Sequence, residues 1–61
     1  MIFAPNDRIR IAGRNFVVVT RRSDERYTVR EDVPRAHVQV FFKYNGTWRL
    51  GAKGVESEVS L

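Results

Sequence analysis

Polar and apolar residues alternate with period two along much of the chain, the signature of strands that turn one face inward. Asp7-Arg8-Ile9-Arg10-Ile11-Ala12 puts Ile9 and Ile11 on one face and Arg8 and Arg10 on the other, and Gly13-Arg14-Asn15 then reads as a turn. Phe16 to Arg21 is branched and apolar without alternation, which predicts a central strand at least partly covered on both faces. Arg21-Arg22-Ser23-Asp24-Glu25-Arg26 is too polar to continue that strand and reads as a hairpin tip, after which Tyr27-Thr28-Val29-Arg30 resumes the alternation. Glu31-Asp32-Val33-Pro34-Arg35 breaks it again. Proline lacks an amide hydrogen and restricts the residue before it, so this segment is expected to be a connecting loop or a single helical turn.

From Ala36 to Tyr44 the chain alternates once more, and Asn45-Gly46 followed by Thr47-Trp48-Arg49-Leu50 is the strongest local signal. Asn-Gly tolerates the positive backbone dihedrals of a two-residue hairpin turn. Such a turn sets Tyr44 opposite Thr47, Lys43 opposite Trp48, Phe42 opposite Arg49 and Phe41 opposite Leu50. One face of this hairpin then carries Val38, Val40, Phe42 and Tyr44 and is assigned to the core. The other carries His37, Gln39, Phe41, Lys43, Trp48 and Leu50 and is aromatic and partly cationic; curvature of the opposite sense would exchange the two. Gly51-Ala52-Lys53-Gly54 reads as a glycine-bounded loop. Val55, Ser57, Val59 and Leu61 then alternate against Glu56, Glu58 and Ser60, a last short strand with an acidic outer face, with a helical tail as the alternative.

The pattern thus predicts one all-β domain over residues 1–61, a small antiparallel barrel or strongly curled sheet of five to six short strands. The architecture is SH3-like by analogy of strand number and length alone. Composition agrees, since Val, Ile and Thr supply 15 of 61 residues and their branched Cβ atoms sit better on a pleated strand than in a helix. Length sharpens the problem: a chain this short buries only about 60% of the surface its unfolded form exposes, and there is no cysteine to cross-link it. An apolar seam between two copies is one way to enlarge such a core. The longest apolar run, Phe16 to Val19, is far short of the roughly 20 residues that span a bilayer, and residues 1–5 lack the makings of a secretory leader. The expectation is a cytoplasmic protein with no membrane partner.

Charge changes the picture more than size does. The chain carries 11 Lys or Arg against 7 Asp or Glu, a net charge of +4, and the excess lies within residues 1–30. Most of the basic residues are arginines, whose guanidinium fork suits phosphate and stays charged at cellular pH. Arg8, Arg10, Arg21, Arg22 and Arg26, together with Lys43 and Trp48 on the hairpin, are therefore the candidate nucleic-acid contacts. The aromatic hairpin face admits three readings: Trp48 closes one end of the core, the face is a homodimer interface made by His37, Phe41, Trp48 and Leu50, or it receives a ligand.

Catalysis has little to build on. There is no Cys nucleophile, the lone His37 has no sequence-evident partner, and no metalloprotease helix, nucleotide loop or nucleophile elbow occurs. One histidine and no cysteine leave no conventional zinc site, so no metal, cofactor or catalytic residue is expected. The sequence reading is a small, non-catalytic, mainly phosphate-directed DNA- or RNA-binding protein with a regulatory role. Its alternative is a protein-interaction module or homodimeric regulator that uses the aromatic sheet face.

Overall fold

The computed structural model describes residues 2–52 and 54–61. Six strands follow one another: β1 Arg8–Ile11, β2 Arg14–Ser23, β3 Arg26–Glu31, β4 Val38–Tyr44, β5 Thr47–Ala52 and β6 Val55–Glu58. They form one antiparallel sheet in chain order, each strand pairing with the next. Short turns make this the economical topology, because neighbouring antiparallel strands need no crossover. The last residues fold back so that the Ala12 amide donates to the Ser60 carbonyl at 3.0 Å, drawing the two edges of the sheet together at one end. The result is a curled half-barrel, consistent with an SH3-like architecture by analogy.

The Asn45-Gly46 hairpin has the register that its turn chemistry predicts, with Tyr44 opposite Thr47, Lys43 opposite Trp48, Phe42 opposite Arg49 and Phe41 opposite Leu50. Both turn residues have positive φ, 51° and 77°, as a two-residue turn matched to strand twist requires. The first turn differs from expectation. Ala12 (φ 52°) and Gly13 (φ 77°) make it, while Arg14 and Asn15 already belong to β2. Residues Asp32 to His37 form the connection between β3 and β4 without a helical turn.

Strand β2 corrects one further expectation. It runs through Arg21, Arg22 and Ser23, leaving only Asp24 and Glu25 as the tip, since polar residues are acceptable on a strand whose end faces water. Its apolar run is partly covered on both faces, with Phe16 and Val18 buried on one and Val17 half-buried on the other, while Val19 is 43% exposed. The register slips between Val18 and Thr20, so Val19 is the extra residue of a bulge and Thr20 takes the place opposite Thr28. A second slip sets Arg22 apart between Arg21 and Ser23. Similarly, Gly51 and Ala52 extend β5, and the Lys53 of the expected loop lies outside the described residues. The final segment is strand rather than helix, with Val59 packed on the core.

The larger correction concerns which hairpin face is inside: the curvature has the opposite sense, and the two faces are exchanged as that alternative requires. The core consists of Phe3, Ile11, Phe16, Val18, Tyr27, Val29, Phe41 and Leu50, with Ile9, Trp48 and Val59 packed against it. Phe41 is fully buried, whereas Val38 and Tyr44, assigned by the sequence to the core, are 57% and 59% exposed. Phe41 lies inward because its strand neighbours in register are Tyr27 on β3 and Leu50 on β5. Phe3 then covers the mouth of the half-barrel, its ring 5.4 Å from Tyr27 edge-on and 6.3 Å from both Phe41 and Trp48. Its amide donates to the Tyr27 hydroxyl at 3.1 Å, which in turn donates to the Asp24 carbonyl at 2.6 Å. One tyrosine oxygen thus ties the N-terminal segment to the β2–β3 turn.

Candidate functional site

With Ile9, Ile11, Tyr27, Val29, Phe41 and Leu50 on the core side, alternation sends Arg8 and Arg10 of β1, Arg26 and Arg30 of β3, and Arg49 of β5 to the outer face. Register orders them into rows. Across the sheet, Arg8 pairs with Val17, Val17 with Arg30, and Arg30 with Val38. A second row runs Ser23, Arg26, Phe42, Arg49, Glu58. Neighbouring strands lie about 4.8 Å apart, so arginines two strands apart in a row stand roughly 10 Å from each other.

In the second row Arg26 and Arg49 flank Phe42, and Glu58 stands beyond Arg49. The Arg26 guanidinium lies 4.9 Å from the Phe42 ring centroid, and that of Arg49 lies 5.9 Å from Tyr44. Flat guanidinium groups favour such stacking, which holds the long side chains against the sheet while their donors stay available. Arg49 is therefore laid over an aromatic ring as its cross-strand position suggests, but on the outer face. Its Nε atom is buried and has no hydrogen-bond partner among the described residues.

Beside this row is a groove of about 420 Å³ lined by Arg22, Arg26, Tyr27, Thr28, Val40, Phe42 and Glu56. Gly51 stands between Val40 and Glu56 in register. The groove is polarised, with Arg22 and Arg26 contributing positive charge and Glu56 negative charge. The Glu56 carboxylate accepts a hydrogen bond from the Gly54 amide at 2.7 Å.

Among the described residues there are two ion pairs, Arg14 with Glu31 at 3.3 Å and Arg21 with Asp24. Hydrogen bonding to Asp24 raises the Arg21 pKa further above its already high ordinary value. Arg21 thus keeps its charge but shares it with a carboxylate. Arg8, Arg10, Arg22, Arg26, Arg30 and Arg49 make no ion pair among the described residues.

The candidates named from sequence divide accordingly. Arg8, Arg10 and Arg26 share the outer face, and Arg22 lines its groove. Arg21 is turned to Asp24. Lys43 and Trp48 stand apart, at the mouth of the half-barrel, where Trp48 stacks on Phe41 at 4.5 Å and 10° and Lys43 lies 6.0 Å from the Trp48 ring. With Ile2, Ser23, Asp24 and Glu25 they border a hollow of about 770 Å³ that includes two acids. Of the residues assigned to an interface, Phe41 and Leu50 are enclosed in the chain's own core, Trp48 is half-buried against it, and His37 is exposed in the loop before β4. Trp48 closing one end of the core is the geometry found.

Sequence reasoning missed Phe3 and Arg49 as parts of this arrangement, and reached Phe42 and Tyr44 only through the alternative curvature. The signal that favoured that alternative was Phe42 opposite Arg49: a cation facing a ring is cheaper to keep at a wet surface than in a core. Among the described residues no three His, Cys, Asp or Glu side chains group as metal ligands, and no helix is long and apolar enough to cross a membrane. No protein-family model, curated protein or solved structure matches the chain.

Proposed function

We propose that this protein is a small, non-catalytic nucleic-acid-binding protein of the cytoplasm that holds the phosphate backbone on the outer face of its sheet. The observation that carries this reading is the set of outer-face arginines Arg8, Arg10, Arg26, Arg30 and Arg49, none of which makes an ion pair among the described residues, although Glu58 stands opposite Arg49 in register. Carboxylates elsewhere engage Arg14 and Arg21. Guanidinium groups spaced along a sheet match the repeating charge of a polynucleotide, and binding displaces its condensed counterions. Among the described residues the regular elements are strands, and the arginines they present suit the phosphate backbone, so the affinity proposed here rests on backbone charge.

The test is the double substitution Arg8→Gln with Arg30→Gln, two exposed residues with neither an ion pair nor a ring contact. The slope of log affinity against log salt should become shallower by about 1.4, or about 0.7 for each lost contact to a single strand, with the thermal transition unmoved. Arg14→Gln, which removes an arginine already paired with Glu31, is the comparison and should change the slope less. Absence of binding to DNA and RNA at low salt would refute the reading. Salt-insensitive capture of a protein partner, lost on replacing the exposed Val38 and Tyr44, would favour an interaction module instead.

A further inference from the structure

We infer that the outer face takes single-stranded rather than duplex nucleic acid, with an unstacked base seated against Phe42 in the groove between Arg26 and Glu56. This rests on the nucleic-acid reading above and adds the form of the ligand. Phosphate recognition alone would need only arginines on a polar surface. The outer face instead sets arginines against rings, Arg26 over Phe42 and Arg49 over Tyr44, and Tyr44 is more than half exposed. Rings and guanidinium planes are the surfaces on which bases stack, and in a duplex those base faces are already covered.

The groove supplies the place. Thr28, Val40 and Phe42 give it apolar surface, and its volume of about 420 Å³ falls within the roughly 300–1,000 Å³ of small-molecule sites. Its polarity sets the orientation. Phosphate is drawn to Arg22, Arg26 and Arg30 and repelled by Glu56, so the base, which carries no formal charge, is the part that enters. The Glu56 carboxylate, fixed by the Gly54 amide, then faces the base as a hydrogen-bond acceptor for an exocyclic amine. A second copy of this chain is a poorer occupant, because this face carries Arg8, Arg10, Arg26, Arg30 and Arg49 against Glu56 and Glu58, and two such faces of net positive charge repel each other.

Fluorescence anisotropy with a labelled mixed-sequence oligonucleotide tests this, using single-stranded DNA, single-stranded RNA and the matching DNA duplex at one salt concentration. Either or both single strands should bind about tenfold more tightly than the duplex. Phe42→Leu keeps apolar bulk on the half-buried position but removes the π face, and should weaken single-strand binding by about tenfold while leaving duplex binding and the thermal transition in place. Tyr44→Ala, at an exposed position, provides a second variant if Phe42→Leu unfolds, and should reduce single-strand binding in the same direction. Equal affinity for single strand and duplex, unchanged in both variants, would overturn the inference and leave phosphate-directed binding standing. No binding to any of the three would overturn both. Concentration-dependent dimerisation that is lost in Phe42→Leu and competes with oligonucleotide would also overturn it, by assigning the face to a second copy.

Discussion

Arg49 places a buried, unpartnered Nε–H on the outer face, and its guanidinium lies over Tyr44 rather than against a carboxylate. A buried donor without a partner costs about 1–3 kcal/mol, a large fraction of the stability available to a domain of this size. Folding alone would be served as well by an apolar side chain of similar length. Arg49→Met should therefore leave the melting temperature unchanged or raise it, while weakening oligonucleotide binding. Thermal denaturation followed by circular dichroism and a binding titration on the same sample check both halves. A Tm several degrees lower would mean that the guanidinium holds the sheet together and that its position says nothing about a ligand. Phe3 illustrates the opposite case, a residue whose role is structural and which was illegible locally. Nothing near it in sequence marks it as the cover of a core built from Tyr27, Phe41 and Trp48.

At the scale of elements, Gly51 is where β5 and β6 come closest. A Cβ there would stand 2.3 Å from the Val55 carbonyl oxygen and 2.9 Å from the Glu56 Cα, both backbone atoms that cannot rotate away. Gly13, by contrast, has open space around its missing Cβ and is restricted by its φ of 77° alone. Gly51→Ala should thus cost about 2 kcal/mol or more by displacing β6, against about 1 kcal/mol for Gly13→Ala. Denaturant melts of the two variants give the order, and equal midpoints would contradict the close approach. Strand existence and the register of the Asn45-Gly46 hairpin were legible because period-two alternation and turn chemistry are local. The inward face of that hairpin was not. Val38, Val40, Phe42 and Tyr44 are as apolar as Phe41, Trp48 and Leu50, and only pairing with Tyr27 on β3 and cover from Phe3 decide between them. Bulges escaped for a related reason: the Phe16 to Val19 run reads as a two-sided strand, although its last valine is the bulged residue.

For the molecule as a whole, that inversion reorganises the candidate chemistry. The aromatic face from which an interface was expected closes into the core with Phe3, and the opposite face gathers the arginines of β1, β3 and β5. Net charge, counted from sequence, located the excess in residues 1–30; the fold adds Arg49 to that set and ties Arg21 to Asp24. A half-barrel of six strands has one wet face and one dry one, so a ligand on the outer face leaves the core side chains untouched. Valines report on both sides: Val17, Val38 and Val40 lie on the outer rows, and Val18 and Val29 in the core. Methyl resonances of labelled protein, followed by NMR during titration with a single-stranded oligonucleotide, test the central claim most directly. The account predicts that the Val38 and Val40 methyls shift most, Val17 follows, and Val18, Val29 and Leu50 hold their positions. Shifts confined to Leu50 and the Trp48 side of the molecule, or no shifts at saturating oligonucleotide, would contradict it.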